Sequence, residues 1–480
     1  MTKKYYITAA IPYVNAAPHI GHALELVQTD AIARYHKLLG EDVLSLSGGD
    51  ENALKNVQAA EKAGDDVQRF VDKNNNLFLE LTKKLNCDFT VWQKGSDQKT
   101  HFPSSQKLWE LCDKAGDIYK KTYEGLYCVG CEQFYLPSEL NENGECFEHP
   151  GKKLENVSEE NYFFKLSKYQ KQLIELIKSD KLKISPEERK NEMLSFLKEP
   201  LQDISISRSN ERAKNWGVPV PGDDKQRMYV WFDALNIYQS GIGFGWDDEK
   251  YNKWWPADLH VIGKGISRFH AIYWPSFLLS AGLKLPKALF VHGYFTVNGQ
   301  KMSKTLGNVI DPVEMIEKYG VDGLRYYLLA KFSPFTDGDF SEEKLKDVYN
   351  GDLANGLGNL VSRVAKLCEN SGFEFPVIPG TEWKLDENVT KFLDIYRFDE
   401  ATRYIFESYI TKLDQDINKI EPWKLTGDEL NDFLKKAVDT IRAISLNLYP
   451  FIPETAQKID DQFKGPKIKS AEPLFPRLVK

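Results

Sequence analysis

The sequence predicts an α/β chain built on a parallel sheet, split by a metal-knuckle insertion and followed by an all-α part. Three observations carry that reading. Uncharged strand-like runs alternate with helix-period stretches from Tyr5 to Ala115. Cys128, Cys131, Cys146 and His149 then stand as two pairs at metal-ligand spacing. From about Glu343 to Gln462 the pattern is helical throughout. At 480 residues the chain exceeds one hydrophobic core, so two or three domains are expected. A net charge of -7 advertises no global basic field, and any polyanion contact would have to be local. No apolar run is long enough for a membrane span. The first strand starts by Tyr5, and Cys87, Cys112 and Cys368 are scattered; the expectation is a cytoplasmic protein without a leader.

Tyr5-Tyr6-Ile7-Thr8-Ala9-Ala10 reads as a buried parallel strand that Pro12 ends. Pro18 is placed to open a helix, and from Ile20 the residues Ala23, Leu24, Val27, Ala31, Ile32 and Tyr35 recur at helical spacing up to Gly40. His19 and His22 therefore sit at a helix N-terminus beyond a strand's carboxyl end, where backbone N–H groups and the helix dipole favour phosphate. Gly21 lets a flat base or a phosphate approach the backbone. Two surface histidines at a helix start give the same pattern, so both readings stand at this point.

Glu41–Ser47 reads as a second strand running into Gly48-Gly49-Asp50, where open α/β sheets place ligand contacts. An Asp capping the helix that starts near Ala53 is the alternative. Helices are expected at Val67–Leu85 and Phe102–Ala115, with a strand at Asp88–Trp92. The Cys-x-x-Cys and Cys-x-x-His pairs suit one tetrahedral zinc with its coordination filled, hence a structural site. Residues 158–200 read as helical and basic. Asp233, inside the aromatic run Tyr229–Leu235, needs a partner if buried, which points weakly to a site. Asp258–Gly263 and Ala288–Gly293 are further strands, and Ile266–Ala281 a helix. Lys301 and Lys304, three apart on a loop, make a compact pincer for phosphates; an exposed basic loop reads alike. In the all-α part, Asp352–Asn370, Asn388–Lys419 and Asn431–Asn447 are the main helices, with Asn355, Asn359 and Arg363 on one face.

Two of these segments converge. His19-Ile20-Gly21-His22 and Lys301-Met302-Ser303-Lys304-Thr305 resemble the signature motifs of class I aminoacyl-tRNA synthetases, with Thr305 in place of the usual final Ser. Tyr229–Ala234, Gly263–Pro275, His292–Asn308, the zinc knuckle and Asn359-Leu360-Val361-Ser362-Arg363 narrow the likeness to the methionyl-tRNA synthetase family, from Tyr5 to about Trp423. The resemblance implies a Rossmann-type catalytic domain in two halves (residues 1–116 and 226–320) around a zinc-bearing connective insertion (117–225). A linking segment (321–345) and an α-helical anticodon-binding domain (346–480) would follow.

What it implies chemically is a ligase that activates L-methionine with ATP and Mg2+ to methionyl-adenylate and transfers it to the terminal adenosine of tRNA(Met), the initiator included. His19, His22, Lys301 and Lys304 would be catalytic, and would bind ATP together with Gly21 and Gly263. Ile11, Tyr13, Asp50, Val230, Trp231, Ala234, Tyr238, Ile266, Phe269 and His270 would form the methionine pocket, with Asp50 on the α-ammonium. Asn359, Arg363 and Trp423 would read the anticodon, and Cys128, Cys131, Cys146 and His149 would hold structural Zn2+. Three positions depart from the family pattern: Gly265 where an Asp is frequent, Asn52-Ala53 where a His-Gly pair is usual, and Thr305. The chain stops near Lys480 without the dimerisation module of some relatives, which points to a monomer. The leucyl, isoleucyl and valyl enzymes would need a larger editing insertion. A tRNA-independent nucleotidyltransferase would lack the zinc knuckle and helical domain. A non-catalytic tRNA-binding paralogue would not need both histidines and both lysines.

Overall fold

The computed structural model describes residues 2–128, 133–135, 137–147, 151–302, 307–377 and 384–478. It divides into two compact units, Met1–Pro18, Asp42–Thr82 and Asp88–His292 forming the first, and His19–Glu41, Lys83–Cys87 and Gly293–Lys480 the second. Strand β1 (Lys4–Ala9) leads through residues 10–19 into helix α1 (Ile20–Leu38). Among the described residues no helix is long and apolar enough to cross a membrane.

The first unit is organised by a six-stranded, fully parallel sheet. Besides β1 it contains β2 (Asp42–Gly49), β3 (Val91–Lys94), β4 (Lys183–Ser185), β5 (Leu259–Gly263) and β6 (Ala288–His292), in the order β3-β2-β1-β5-β6-β4. From β1 the chain first builds outward to β2 and β3, and only much later fills the other side with β5. The carboxyl ends of β1 and β5 therefore flank the reversal point where such sheets bind ligands. β1 is buried from Tyr6 to Ala9 and β5 along its whole length, as strands covered on both faces must be. Gly48, near the end of β2, serves the sheet itself: a methyl group there would fall 1.9 Å from the Gln93 carbonyl of β3.

Within residues 117–225 the reading of 158–200 as helical is corrected. Glu155–Phe164 is a strand, paired antiparallel along its length with Ile118–Cys128. Its Val157, Asn161 and Phe163 are buried in alternation, a period-2 pattern that the lysines beyond Phe164 obscured. Helices Gln170–Lys178 and Glu187–Phe196 then flank β4, which pairs with β6 in the main sheet. The expected helix over Ile266–Ala281 is present as an unbroken helix over residues 267–280, with a π-helical turn (Phe269–Tyr273) inside it and a 3-10 turn (Lys264–Ile266) ahead of it. Helix α2 (Val230–Leu235) follows the strand Asp223–Met228.

In the second unit α1 begins at Ile20 with His19 as its N-cap, so Pro18 precedes the cap rather than lying in the first turn. The helix is anchored by charge. Asp30, 1% exposed, pairs with Arg34 at 2.7 Å and with the fully buried Arg325 of α3 (Pro312–Ala330), also at 2.7 Å. Arg325 donates in addition to the carbonyls of Leu85, Pro450 and Phe451. A buried guanidinium is tolerable because so many acceptors surround it. The remaining helices include α4 (Asn359–Ser371) and Gly427–Leu448. Tyr349–Gly358 is π-helical, so a spacing of four does not set Asn355 above Asn359 on α4. The single helix expected over Asn388–Lys419 is broken into Glu387–Leu393, Phe398–Ile405, a π-helical turn and Lys412–Ile420.

Candidate active site

In the first unit the chain continues past β1 as Ile11–Tyr13, and past β2 as Asp50, with Tyr13 and Asp50 forming a parallel bridge. The Asp50 N–H donates to Pro12 O at 2.9 Å, and Asn56 Nδ2 donates to Asp50 O at 2.8 Å. Asp50 is thereby fixed and buried at the sheet's carboxyl end. Val230, Trp231, Ala234, Tyr238 and Phe269 all belong to the large hydrophobic core of this unit, and Ile11, Tyr13 and Ile266 pack against it. Trp231 stacks on Phe269 at 3.7 Å between ring centroids, and Tyr13 meets Trp231 edge-on at 6.3 Å. These aromatics present polarizable faces with few hydrogen-bonding groups, which suits a thioether.

His270 completes this wall. Its Nδ1 lies 3.0 Å from Ile266 O and its Nε2 2.8 Å from the Tyr238 hydroxyl. Burial holds its pKa at about 4, so the ring is neutral near pH 7. Gly263 ends β5, and Gly265 follows in the 3-10 turn.

In the second unit the two histidines close the first turn of α1 on themselves. His19 Nδ1 accepts from the Gly21 N–H at 3.1 Å, and His22 Nδ1 accepts from the His19 N–H at 3.1 Å. This is a capping box built from imidazoles, with the rings 3.9 Å apart. Burial lowers the His19 pKa to about 4; burial and then the neighbouring His19 ring hold His22 well below its ordinary value. Two neutral rings that both accept at Nδ1 carry their protons on Nε2. The turn thus presents imidazole N–H donors at a helix N-terminus, the chemistry of an anion site. A methyl group at Gly21 would meet His19 Cε1 at 2.9 Å, so this glycine makes room for the histidine ring itself.

The second motif is beside the first. Ile20 N–H donates to Ile310 O at 3.0 Å, and the same methyl group at Gly21 would lie 3.5 Å from Met302 Cε. Lys301 ends a β-hairpin, Phe295–Val297 against Gln300–Lys301, turned by Asn298 and Gly299. Both turn residues have positive φ, the two-residue turn that matches strand twist. Asn308 Nδ2 donates to Lys301 O at 3.3 Å. Ser303, Lys304 and Thr305 lie outside the described residues.

The model of the family described as tRNA synthetases class I (M) matches residues 5–365. Over 99% of this chain and 98% of the relative, the sequence is 39% identical to the Methionine--tRNA ligase of Brucella suis biovar 1 (strain 1330). The chain belongs to the methionine–tRNA ligase family. The corresponding ligase of Thermotoga maritima is 40% identical over 95% of this chain and 74% of its own length. Among solved structures, Mycobacterium tuberculosis methionyl-tRNA synthetase in complex with methionyl-adenylate superposes with a TM-score of 0.91 at 36% identity, covering 99% of this chain and 100% of that one.

The other residues expected from the family fall as follows. Asn359 is exposed at the start of α4, and Trp423 is 56% exposed in the turn Pro422–Lys424. Arg363 is held by Asp414 and by Asn418 Oδ1, the latter at 2.7 Å. Cys128 and Cys146 are both buried, with sulfurs 3.2 Å apart and not disulfide-bonded; Cys131 and His149 lie outside the described residues. Two thiols converging from a strand end and a loop fit half of a zinc knuckle.

Sequence reasoning passed over two features. Lys55 sets its ammonium 3.2 Å from the centroid of the Tyr13 ring. His101 reaches Asp233 from a helix that no motif marked. A buried acid among aromatics signalled only that some donor had to exist.

Proposed function

We infer that the chain performs its family's reaction, condensing L-methionine with ATP to methionyl-adenylate and then charging tRNA(Met). A methionine carboxylate oxygen attacks the α-phosphorus as the bond to the β-phosphate breaks and diphosphate leaves. A ribose hydroxyl of the terminal adenosine then attacks the methionyl carbonyl, and AMP leaves. Little covalent work falls to the protein; positioning and charge stabilisation carry the rate. We assign Asp50 to the α-ammonium and the wall from Ile11 and Tyr13 through Trp231, Tyr238 and Phe269 to the side chain. The Nε2–H groups of His19 and His22 would face the nucleotide's phosphates. Lys301 and Lys304 would neutralise the departing diphosphate, ATP arriving as its magnesium chelate. Asn359, Arg363 and Trp423 would meet the anticodon, where exposed stacking and polar edges suit single-stranded bases. Cys128 and Cys146, with Cys131 and His149, would hold zinc as a structural cross-link. We place the enzyme in the cytoplasm as a monomer.

The observation that carries this reading is the adjacency of the two signature segments, α1's imidazole cap beside Met302. Amino-acid-dependent ATP–diphosphate exchange, run over a panel of amino acids, tests it. Exchange with methionine far above all others is expected; exchange with another amino acid, or with none, overturns it.

A further inference from the structure

We propose that Asn52 and Asp233 form a clamp that positions Asp50 against the aromatic wall, and so sets how tightly methionine is held. Asp233 lies in α2 between Trp231 and Ala234 and is 1% exposed. One of its oxygens accepts from His101 Nε2 at 2.5 Å and from the Ser105 hydroxyl at 3.1 Å. The other accepts from Asn52 Nδ2 at 2.6 Å. The same Asn52 nitrogen donates to Gly95 O, just beyond β3, at 2.7 Å. Both hydrogens of one amide are thus used to tie three segments: the loop after β2, the end of β3 and α2.

Neither residue belongs to the pocket, yet each neighbours one that does. Asn52 is two residues from Asp50, and Asp233 two from Trp231. The backbone at Asp50 is fixed toward β1 by Pro12 O, but that bond does not set its distance from α2. The Asn52–Asp233 bond does. A carboxylate this buried is stable only with donors, and losing one leaves a charge-assisted bond unmade in a medium that cannot replace it. An imidazole at this position is another side chain that can offer one N–H to a carboxylate.

The proposal rests on the assignment of Asp50 and Trp231 to methionine. Its test is ATP–diphosphate exchange by the full chain, with KM for methionine and for ATP measured separately. Wild-type exchange with methionine checks the underlying assignment of function, independently of the clamp. Asn52→Ala should raise the methionine KM several-fold, through the lost placement of Asp50, and leave the ATP KM unchanged. A reduced folded fraction lowers only the apparent kcat, so poor folding cannot imitate that split. Asn52→His should recover most of the loss. Asp233→Asn should raise the methionine KM on its own, and Asn52→Ala should add little to it. An unchanged methionine KM in Asn52→Ala, or fully additive effects in the double variant, would overturn the clamp.

Discussion

The hydroxyl of Tyr238 donates to Nε2 of His270 across 2.8 Å, and the far side of the ring sets that direction. Nδ1 faces Ile266 O at 3.0 Å, and a carbonyl can only accept. Nδ1 therefore carries the proton of the neutral ring, leaving Nε2 to take the tyrosine's. Protonating Nε2 would turn that acceptor into a donor, and the Tyr238 hydroxyl would have to swing its hydrogen away and accept instead.

A pH dependence follows from that neutrality. The folded-state pKa of both His270 and His19 is about 4, against an ordinary value of 6.5, with burial the leading cause in each. Between those values the unfolded chain binds more protons, so stability is fully present above 6.5 and is lost as pH falls towards 4. Urea midpoints measured across that window should fall with pH. His270→Gln, which cannot titrate there, should show a shallower fall; identical slopes would contradict a buried neutral ring.

His22→Ala removes the acceptor for the His19 N–H and one imidazole donor from the cap of α1. Loss of a helix cap costs about 1 kcal/mol, visible as a modest drop in the urea midpoint. The single-turnover rate of adenylate formation should fall far more, by ~10²–10³-fold, the usual cost of one transition-state donor. A rate loss no larger than the stability change predicts would leave His22 a purely structural cap.

The parts legible in the sequence were those whose signal is local. β1, β2, β5 and β6 announce themselves as apolar and β-branched runs, charged only at the first residue of β1 and of β2, and α1 through its period and the glycine after it. What stayed hidden depends on distant partners. β4 has three residues, Lys183–Ser185, and is a strand only because β6 accepts it. Asn298-Gly299 is a strong hairpin-turn pair, but the strands it joins, Phe295–Val297 and Gln300–Lys301, are too short to show an alternating pattern. Asp233 was recognisable as an anomaly, but no sequence spacing connects residue 233 to His101 or Asn52.

In the proposed reaction the lysine pair supplies charge to the leaving group, so its removal should spare the ground state. Lys301→Ala and Lys304→Ala should each leave methionine affinity near normal while slowing adenylate formation by ~10²–10³-fold. Equilibrium binding of methionine and a single-turnover burst separate the two effects. An unchanged burst rate refutes the assignment.

Arg363 is presented at the α4 surface by Asp414 and Asn418, two acceptors from another helix. Arg363→Ala should impair aminoacylation of tRNA(Met) and leave ATP–diphosphate exchange intact, since activation needs no tRNA. Asn418→Ala, which removes one of the two supports, should give the same pattern with a smaller loss. Equal losses in both assays would mean that Arg363 acts on the fold and not on the anticodon.

The sulfurs of Cys128 and Cys146 stand 3.2 Å apart, closer than two unbonded thiols need to be and too far for a disulfide. In the proposed zinc site both thiolates would lie at about 2.3 Å from one metal, where a tetrahedral angle sets the sulfurs about 3.8 Å apart, so metal binding would draw the pair slightly outward. Cys146→Ser should therefore reduce zinc content, measured by elemental analysis of the purified protein. It should also increase proteolytic cleavage within residues 129–150, where metal binding would stand in for a core. Methionine-dependent exchange should fall less than tRNA charging, because the proposed methionine pocket is built on the parallel sheet and α2. A variant with full zinc content would mean that Cys146 is a buried thiol without a metal.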